Sequence, residues 1–343
     1  MTDGAERGTT GTAPWGRRYV RAAAGALLAA GLAGSSTALA DEKLVFTTNW
    51  FAEAEHGGFY QALATGIYKK YGLDVTIKMG GPQVNSMQLL AAGQSDIIMG
   101  YDIQTMNSQE QGIPAVTVGV TFQKDPQGML THEDVTSLDQ IKTKTILIAG
   151  SAHTSYWPWL KTKYGLDDGM TRPYTFNVQP FMADKAIVQQ GYVTSEPFAV
   201  EQAGGKCNFF LFADFGYPPY AETMVTLQKL VDAHPAVVGK FVKASLEGWK
   251  SYMHDPAPGN ALIKKDNPAM TDDQLAYSVA KIKAFKLLDG GEAAKAGIGH
   301  MSDARFKQTF DLMVANKLLD PSKVDLKKTY TTRFMKDVKV LLD

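Results

Sequence analysis

The segment around Glu196 has the clearest chemical potential in this sequence. Tyr192-Val193-Thr194-Ser195-Glu196-Pro197-Phe198 puts a carboxylate at the end of a predicted strand, directly before a proline that opens a helix. Burying Glu196 near a cleft costs free energy unless the carboxylate is paired or hydrogen-bonded. A flat ring that carries N–H donors would satisfy it through a two-point contact. Alternatively, Glu196 caps the helix, where the helix dipole favours an anion, and the two roles are compatible.

Aromatic and small polar residues follow other predicted strands. Asn49 and Trp50 end the first strand, and Trp50 either stacks on a flat ring together with Tyr192 or packs in the core. His56, at the start of the next helix, is a ligand contact or a cap. Ser151 lies among small hydroxyl residues at another helix start. Ligands of open α/β sheets bind beyond the carboxyl ends of the strands, so these residues are expected to line one cleft.

An alternating series of strands and helices must position these residues. The pattern predicts strands at 44–50, 74–78, 96–100, 115–122, 145–150, 175–179, 192–195, 209–213 and 222–227. It predicts helices at 56–70, 86–92, 103–111, 156–164, 182–190 and 198–203, and only helices from residue 235 onward. Tyr60 in the first helix is a further candidate ligand contact. Strands that alternate with helices of about 10–15 residues indicate α/β units on a mainly parallel sheet.

Two linkers divide this series into two blocks. The first is 125–128, with its Asp-Pro and Gly, and the second is Gly216-Tyr217-Pro218-Pro219. The helical tail is long enough to return to the first block. We therefore predict a discontinuous lobe I at 41–124 and 220–343, and a lobe II at 125–219. Such a layout allows hinge closure, in which the linkers absorb the backbone rotation.

The N-terminus has the features of a secretory signal peptide. A basic region around Arg17 and Arg18 precedes a short run of small and apolar residues, and Ala38-Leu39-Ala40 forms an A-x-A cleavage site. The run is too short to span a bilayer, which needs about 20 residues. We expect cleavage after Ala40 and a periplasmic location. The adjacent arginines leave the choice between Sec and twin-arginine export open.

Composition and motif searches narrow the function classes. The 343 residues include 35 basic and 35 acidic ones, and this balance argues against binding to nucleic acid. No phosphate loop, nucleophile elbow or metal-ligand histidine spacing is present, and the single cysteine, Cys207, excludes an intrachain disulfide. We therefore expect no cofactor, no metal and no catalytic residues. Because catalytic triads are spatial rather than sequential, an exported enzyme that acts on a heterocycle remains the rival hypothesis.

The same residues resemble a known family. Asn49-Trp50-Phe51-Ala52-Glu53-Ala54-Glu55-His56-Gly57-Gly58-Phe59-Tyr60-Gln61-Ala62, Gly80-Gly81-Pro82, Gln88-Leu89-Leu90-Ala91-Ala92-Gly93 and Ser195-Glu196-Pro197-Phe198 resemble the thiamine-pyrimidine-precursor family of ABC-importer substrate-binding proteins. The resemblance covers most of residues 44–225. It implies a type II periplasmic-binding fold, with two α/β lobes, a hinge and a helical C-terminal tail, that delivers cargo to an inner-membrane permease.

The resemblance also implies a cargo. In the family, an Asn-Trp pair and a Tyr…Glu pair hold an aminopyrimidine ring, and they match Asn49, Trp50, Tyr192 and Glu196 here. The expected ligand is a thiamine precursor such as formylaminopyrimidine or hydroxymethylpyrimidine, bound by a monomer. Another heterocycle, such as a riboflavin-like compound, or an organosulfonate is the alternative cargo. The family's pyrimidine synthases are cytosolic and cysteine-rich, which this chain is not.

Overall fold

The strands form two separate five-stranded sheets. The computed structural model describes residues 41–81, 84–336 and 338–342, and the predicted signal peptide, residues 1–40, lies outside the described residues. The first sheet contains β1 (Glu42–Thr47), β2 (Leu73–Lys78), β3 (Ile97–Gly100), β4 (Ala115–Phe122) and β10 (Ala221–Leu227). The second sheet contains β5 (Gln127–Thr131), β6 (Thr145–Ile148), β7 (Thr171–Pro173), β8 (Ile187–Tyr192) and β9 (Asn208–Leu211).

The two sheets share one topology. Their strand orders are β2-β1-β3-β10-β4 and β7-β6-β8-β5-β9. In each, three neighbouring strands run parallel, and the fourth in order is antiparallel to both of its neighbours. The antiparallel strand is the one that follows a crossing from the other sheet. The chain crosses after β4 and again after β9, and the sheets form a two-lobe α/β fold. The lobe boundaries themselves stay a prediction.

Helices cover the sheets and build the C-terminal tail. They are α1 (Gly57–Ala64), α2 (Ile67–Lys70), α3 (Ser86–Ala91), α4 (Asp102–Glu110), α5 (Tyr156–Tyr164), α6 (Gln179–Ala183), α7 (Glu196–Gln202), α8 (Gln228–Ala233), α9 (Pro235–His254), α10 (Ala257–Asp266), α11 (Asp272–Ala284), α12 (Ala293–Ala296) and α13 (Asp303–Ala315). Short 3₁₀ helices occupy Ala54–His56, Leu138–Thr143, Gly150–Thr154, Asp168–Met170, Phe212–Phe215 and Leu326–Lys328. In the described part of the chain, no helix combines the length and apolarity needed to cross a membrane.

The tail returns to the first lobe through the packing of α9 on α1. A Cβ atom on Gly57 would lie 2.1 Å from the ring of Tyr252, and one on Gly58 would lie 2.2 Å from the ring of Trp249. Only glycine allows two helices to approach this closely. The Gly-Gly pair after His56 therefore serves helix packing.

Two sequence-based element assignments in the second lobe were wrong. Residues 175–178 form a loop after β7, and residues 182–190, predicted as a helix, divide between the end of α6 and strand β8. Ile187 and Val188 are β-branched and Gly191 disfavours a helix, so tertiary pairing with β5 and β6 decides for a strand. The linker prediction at 125–128 also overlapped β5, which begins at Gln127.

The second crossing between the sheets is fastened to the tail. Arg305 on α13 donates from Nε to the carbonyl of Pro218 at 2.7 Å and from Nη2 to the carbonyl of Pro219 at 3.3 Å. Its guanidinium carbon lies 4.3 Å from the ring centroid of Tyr220. The backbone N–H of Tyr220 in turn donates to the buried carboxylate of Asp102 at 3.1 Å. These contacts hold the linker against the first lobe.

Candidate ligand-binding site

A buried polar network follows strand β1. Asn49 Nδ2 donates to both carboxylate oxygens of Glu222 at 3.1 Å, and Asn49 Oδ1 lies 2.9 Å from His56 Nε2. Since an amide oxygen only accepts, the network assigns the imidazole proton to Nε2. Burial lowers the pKa of His56 to about 3, which keeps the ring neutral. His56 therefore orients Asn49, which in turn holds Glu222.

Two more carboxyl groups lie beside this network. Glu53 and Glu55 come from the segment between Trp50 and His56, and both are buried together with Glu222. Burial, reinforced by repulsion from neighbouring carboxylates, raises the pKa values of Glu53 and Glu222 well above the usual range. Burial also raises the pKa of Glu55 to about 7. We call Asn49, Glu53, Glu55, His56 and Glu222 the first wall, because all of them belong to the lobe of the first sheet.

Glu196 is held by the second lobe at both of its oxygens. The hydroxyl of Tyr174 donates to Oε1 at 2.7 Å, and the backbone N–H of Tyr192 donates to Oε2 at 2.6 Å. Burial raises the pKa of Glu196, while these two hydrogen bonds lower it in part. A Cβ atom on Gly191 would lie 2.9 Å from the Glu196 side chain, so the glycine makes room for the carboxylate.

Aromatic residues accompany Glu196 on this side. Tyr174 and Phe176 are in ring contact at 5.1 Å between centroids. Phe176 lies in the loop after β7 and is 51% exposed. We call Tyr174, Phe176, Tyr192 and Glu196 the second wall.

Three side-chain contacts join the two walls or their edges. The ring of Trp50 lies 5.0 Å from that of Phe176, with an interplanar angle of 41°. The hydroxyls of Tyr101 and Tyr192 are hydrogen-bonded to each other, and the hydroxyl of Thr194 donates to Glu55. Repulsion from Glu196 contributes to the raised pKa values of Glu53 and Glu55. The walls therefore meet at the junction of the two lobes, and we call this junction the cleft.

The structure brings five of the seven predicted site residues to this cleft: Asn49, Trp50, His56, Tyr192 and Glu196. Tyr60 is instead buried in the core of the first lobe, where its hydroxyl donates to Asp266 at 2.9 Å. Ser151 is exposed in the 3₁₀ helix Gly150–Thr154, and its carbonyl accepts from the Ser155 hydroxyl at 3.0 Å. Neither residue is part of the network. The described ring contacts of Trp50 are with Phe51 and Phe176. The stacking of a ligand ring by Trp50 and Tyr192 stays a prediction.

Sequence reasoning missed several residues of the walls. Glu53 and Glu55 stood within the motif around Trp50, and two carboxylates so close to a strand end were an available signal. Glu222 has φ +50°, a backbone conformation that is strained for a side chain of this size and that occurs preferentially at functional sites. Glu222 lies opposite Asn49 because β10 belongs to the first sheet although it follows all strands of the second sheet in the chain. Phe176 had been assigned to a strand.

The described residues hold no group of three or more His, Cys, Asp or Glu side chains arranged to bind a metal ion. Cys207 packs against the apolar cluster of Leu130, Phe181 and Val200. Burial raises the pKa of its thiol to about 11, so little thiolate is present at neutral pH. Cys207 is therefore a poor candidate for a nucleophile.

The donor and acceptor inventory defines what the cleft can bind. The first wall offers three buried carboxyl groups, and Glu196 adds a fourth from the other side. Carboxylates accept hydrogen bonds and attract positive charge, and they repel anions. Trp50 and Phe176 offer flat apolar faces. The arrangement suits a small planar ligand that is rich in N–H donors.

Comparisons with known proteins agree on the family and the fold. The sequence profile of the family described as NMT1/THI5 like matches residues 53–258. The chain is similar to the riboflavin-binding protein RibY of Chloroflexus aurantiacus, with 23% identity over 307 residues that cover 86% of each chain. It is also similar to the formylaminopyrimidine-binding protein of Halalkalibacterium halodurans, with 22% identity over 232 residues that cover 64% of this chain and 70% of the relative.

A solved structure extends the comparison to the whole fold. The periplasmic aliphatic sulphonate binding protein SsuA from Escherichia coli matches with a TM-score of 0.62 at 15% identity, covering 88% of this chain and 94% of that one. At this identity the likeness concerns the fold alone. The type II periplasmic-binding fold predicted from the sequence is confirmed.

Proposed function

The chain belongs to the NMT1/THI5-like family, and on this premise we propose that it is the exported solute-binding component of an ABC importer. Its two lobes bind a small aminopyrimidine, such as formylaminopyrimidine or hydroxymethylpyrimidine. The binding protein releases this ligand unchanged to an inner-membrane permease. It acts as a monomer in the periplasm after removal of residues 1–40.

The observation that carries the proposal is the surplus of buried hydrogen-bond acceptors in the cleft. Glu53, Glu55 and Glu222 are each at most 9% exposed, and Glu196 faces them from the other lobe. An aminopyrimidine supplies an exocyclic amino group as a donor, and its flat ring fits beside Trp50. An N–H donated to a carboxyl group that is ionised makes a charge-assisted bond, which is stronger than a bond between neutral groups.

The same buried hydrogen-bond acceptors favour some of the alternative cargoes over others. A sulfonate carries a fixed negative charge, and each of the four carboxyl groups that is ionised would repel it and raise the free energy of binding. We therefore rank a sulfonate below an aminopyrimidine as the cargo, although the fold is shared with a sulphonate-binding protein. A riboflavin-like compound also has a flat ring system but presents carbonyl acceptors beside its N–H groups. It remains the second candidate because of the similarity to the Chloroflexus aurantiacus protein.

An enzyme on the same fold is the rival from another class. The resemblance includes pyrimidine synthases, and buried carboxyl groups with raised pKa values are also found at catalytic sites. Incubation of the purified protein with an aminopyrimidine separates the two. A binding protein returns the compound unchanged, whereas an enzyme forms a product that mass spectrometry detects.

Calorimetry with 4-amino-5-hydroxymethyl-2-methylpyrimidine tests the binding role. Glu196→Gln keeps the size of the side chain but removes its charge, and we expect roughly 10- to 100-fold weaker binding, the range for a hydrogen bond to a charged group. Glu201→Gln is the matched control, since Glu201 lies on the same helix α7 and is exposed. Equal affinity of the wild-type protein and the Glu196 variant would contradict the assigned role.

A further inference from the structure

We propose that Phe176 is a ligand-contacting residue: a planar ligand ring inserts between Phe176 and Trp50 in place of their direct contact. This inference rests on the proposed binding function, which it deepens by adding a residue from the second lobe. It makes the cleft selective for flat rings whose two faces are both available. Four observations carry it, beginning with the position of the ring.

Phe176 is the most exposed large hydrophobic side chain in the described part of the chain, at 51%. Exposed phenylalanine costs free energy unless something covers it for part of the time. Among the ring contacts of the described residues, Phe176 has one partner in the first lobe, Trp50, at 5.0 Å between the ring centroids. The exposed ring therefore lies at the mouth of the cleft and contacts the opposite lobe.

The backbone holds Phe176 in place at a cost. Its φ is +59°, in the left-handed region that a bulky residue seldom adopts. The strain persists because both flanks are tied down. The backbone N–H of Tyr174 donates to the Ile148 carbonyl at 2.9 Å, and Asn177 Oδ1 accepts from the Gln179 N–H at 2.9 Å. Strain that the surroundings maintain indicates a functional position.

The loop also connects Phe176 to the carboxylate of the second wall. Tyr174 donates to Glu196 at 2.7 Å, and its ring contacts that of Phe176 at 5.1 Å. Tyr174 therefore links the ring of Phe176 to the carboxylate of Glu196. The same loop therefore carries the stacking face of Phe176 and, through Tyr174, holds the acceptor Glu196 in place.

The distance between the rings gives the movement that binding requires. A ring stacked on both neighbours separates them by two stacking distances, about 7 Å, whereas Trp50 and Phe176 are 5.0 Å apart. They belong to different lobes, so a small hinge opening provides the difference. The direct contact then represents the closed cleft, and the ligand takes over the same two faces.

The test is calorimetry of the full mature chain with two flat probes, 4-amino-5-hydroxymethyl-2-methylpyrimidine and riboflavin. For the probe that the wild-type protein binds, we expect Phe176→Ala to weaken binding about tenfold or more, because one stacking face and its buried area are lost. Phe176→Trp should restore binding to within about threefold, since it restores an aromatic face. Thermal unfolding checks that each variant is folded.

Phe51→Ala is the matched control. Phe51 is 40% exposed and contacts the same Trp50 at 5.6 Å, but it belongs to the first lobe. We expect its removal to change affinity less than about threefold, since it offers no second face to the ligand. An equal loss in both alanine variants, or unchanged affinity in Phe176→Ala, overturns the inference.

The two probes keep the two proposals apart. Binding of riboflavin but not of the aminopyrimidine overturns the proposed cargo, and the Phe176 variants then decide the inference with riboflavin. Binding of the aminopyrimidine with no effect at Phe176 keeps the cargo and overturns the inference. If the wild-type protein binds neither probe, both proposals are wrong.

Discussion

The two walls of the cleft differ in polarity and in exposure to solvent. The first wall is polar and largely buried, with Glu55 and Glu222 at most 1% exposed and hydrogen-bonded to neighbouring side chains. The second wall is aromatic, and Phe176 is half exposed. Buried carboxyl groups cannot readily adapt, whereas an exposed ring can move aside. Under the proposed function, we expect the first wall to select the donors of a ligand and the second wall to select its shape.

The largest expected effect concerns the free energy of unfolding that is lost because the first wall buries a carboxyl group. Burial raises the pKa of Glu55 from 4.5 to about 7, so the folded protein holds a proton there that the unfolded chain releases. The burial of Glu55 leaves the free energy of unfolding unchanged below pH 4.5 and lowers it as the pH rises from 4.5 through about 7. Glu55→Gln removes this loss, and we expect the free energy of unfolding to rise by up to about 3 kcal/mol at pH 8.

Urea unfolding at pH 8 and at pH 4.5 measures this effect. The glutamine oxygen still accepts from Thr194, so the contact between the lobes is retained. At pH 4.5 the variant and the wild-type protein should be equally stable. A gain of the same size at both values would mean that packing, rather than the buried charge, was responsible.

The next prediction disturbs the second wall without replacing a polar residue. Gly191→Ala puts a Cβ atom 2.9 Å from Glu196, whose side chain must then shift. We expect affinity for the bound probe to fall roughly 10-fold, at the lower end of the range for losing a charged hydrogen bond. Calorimetry gives the affinity, and near-unchanged thermal unfolding shows that the fold is kept. Full affinity would mean that the position of Glu196 does not matter.

The smallest expected effect concerns how much the contact between the two sides of the cleft contributes to the free energy of unfolding. Tyr101 and Tyr192 share one hydrogen bond across the cleft. Each substitution to phenylalanine should lower the free energy of unfolding by about 1 kcal/mol, and the double variant should lose little more than either single one. Fully additive losses in this double-mutant cycle would show that the two hydroxyls act independently.

The sequence located the parts of the cleft that depend on local order. Tyr192 ends β8, Glu196 begins α7, and Asn49 and Trp50 follow shortly after the end of β1. The carboxyl ends of strands meet at one edge of an α/β sheet. The alternating pattern likewise predicted both α/β lobes. Tyr60 was a weaker candidate, since its position on the apolar face of a helix already suggested the core.

The remainder depends on distant pairing that local patterns do not contain. Glu222 meets Asn49 because β10 enters the first sheet beside β3, more than a hundred residues after β3. Phe176 reaches Trp50 only through the relative placement of two lobes. Its positive φ also has no signature in a phenylalanine, whereas a glycine there would have indicated a turn.

The C-terminal tail holds both crossings between the sheets. Arg305 on α13 binds the carbonyls of Pro218 and Pro219, whose φ angles are already restricted. At the first crossing, the side chain of Gln123 donates to the His300 carbonyl at 2.9 Å. Any rotation of one lobe against the other must therefore act on the same C-terminal segment through both linkers, and we expect that segment to limit its amplitude.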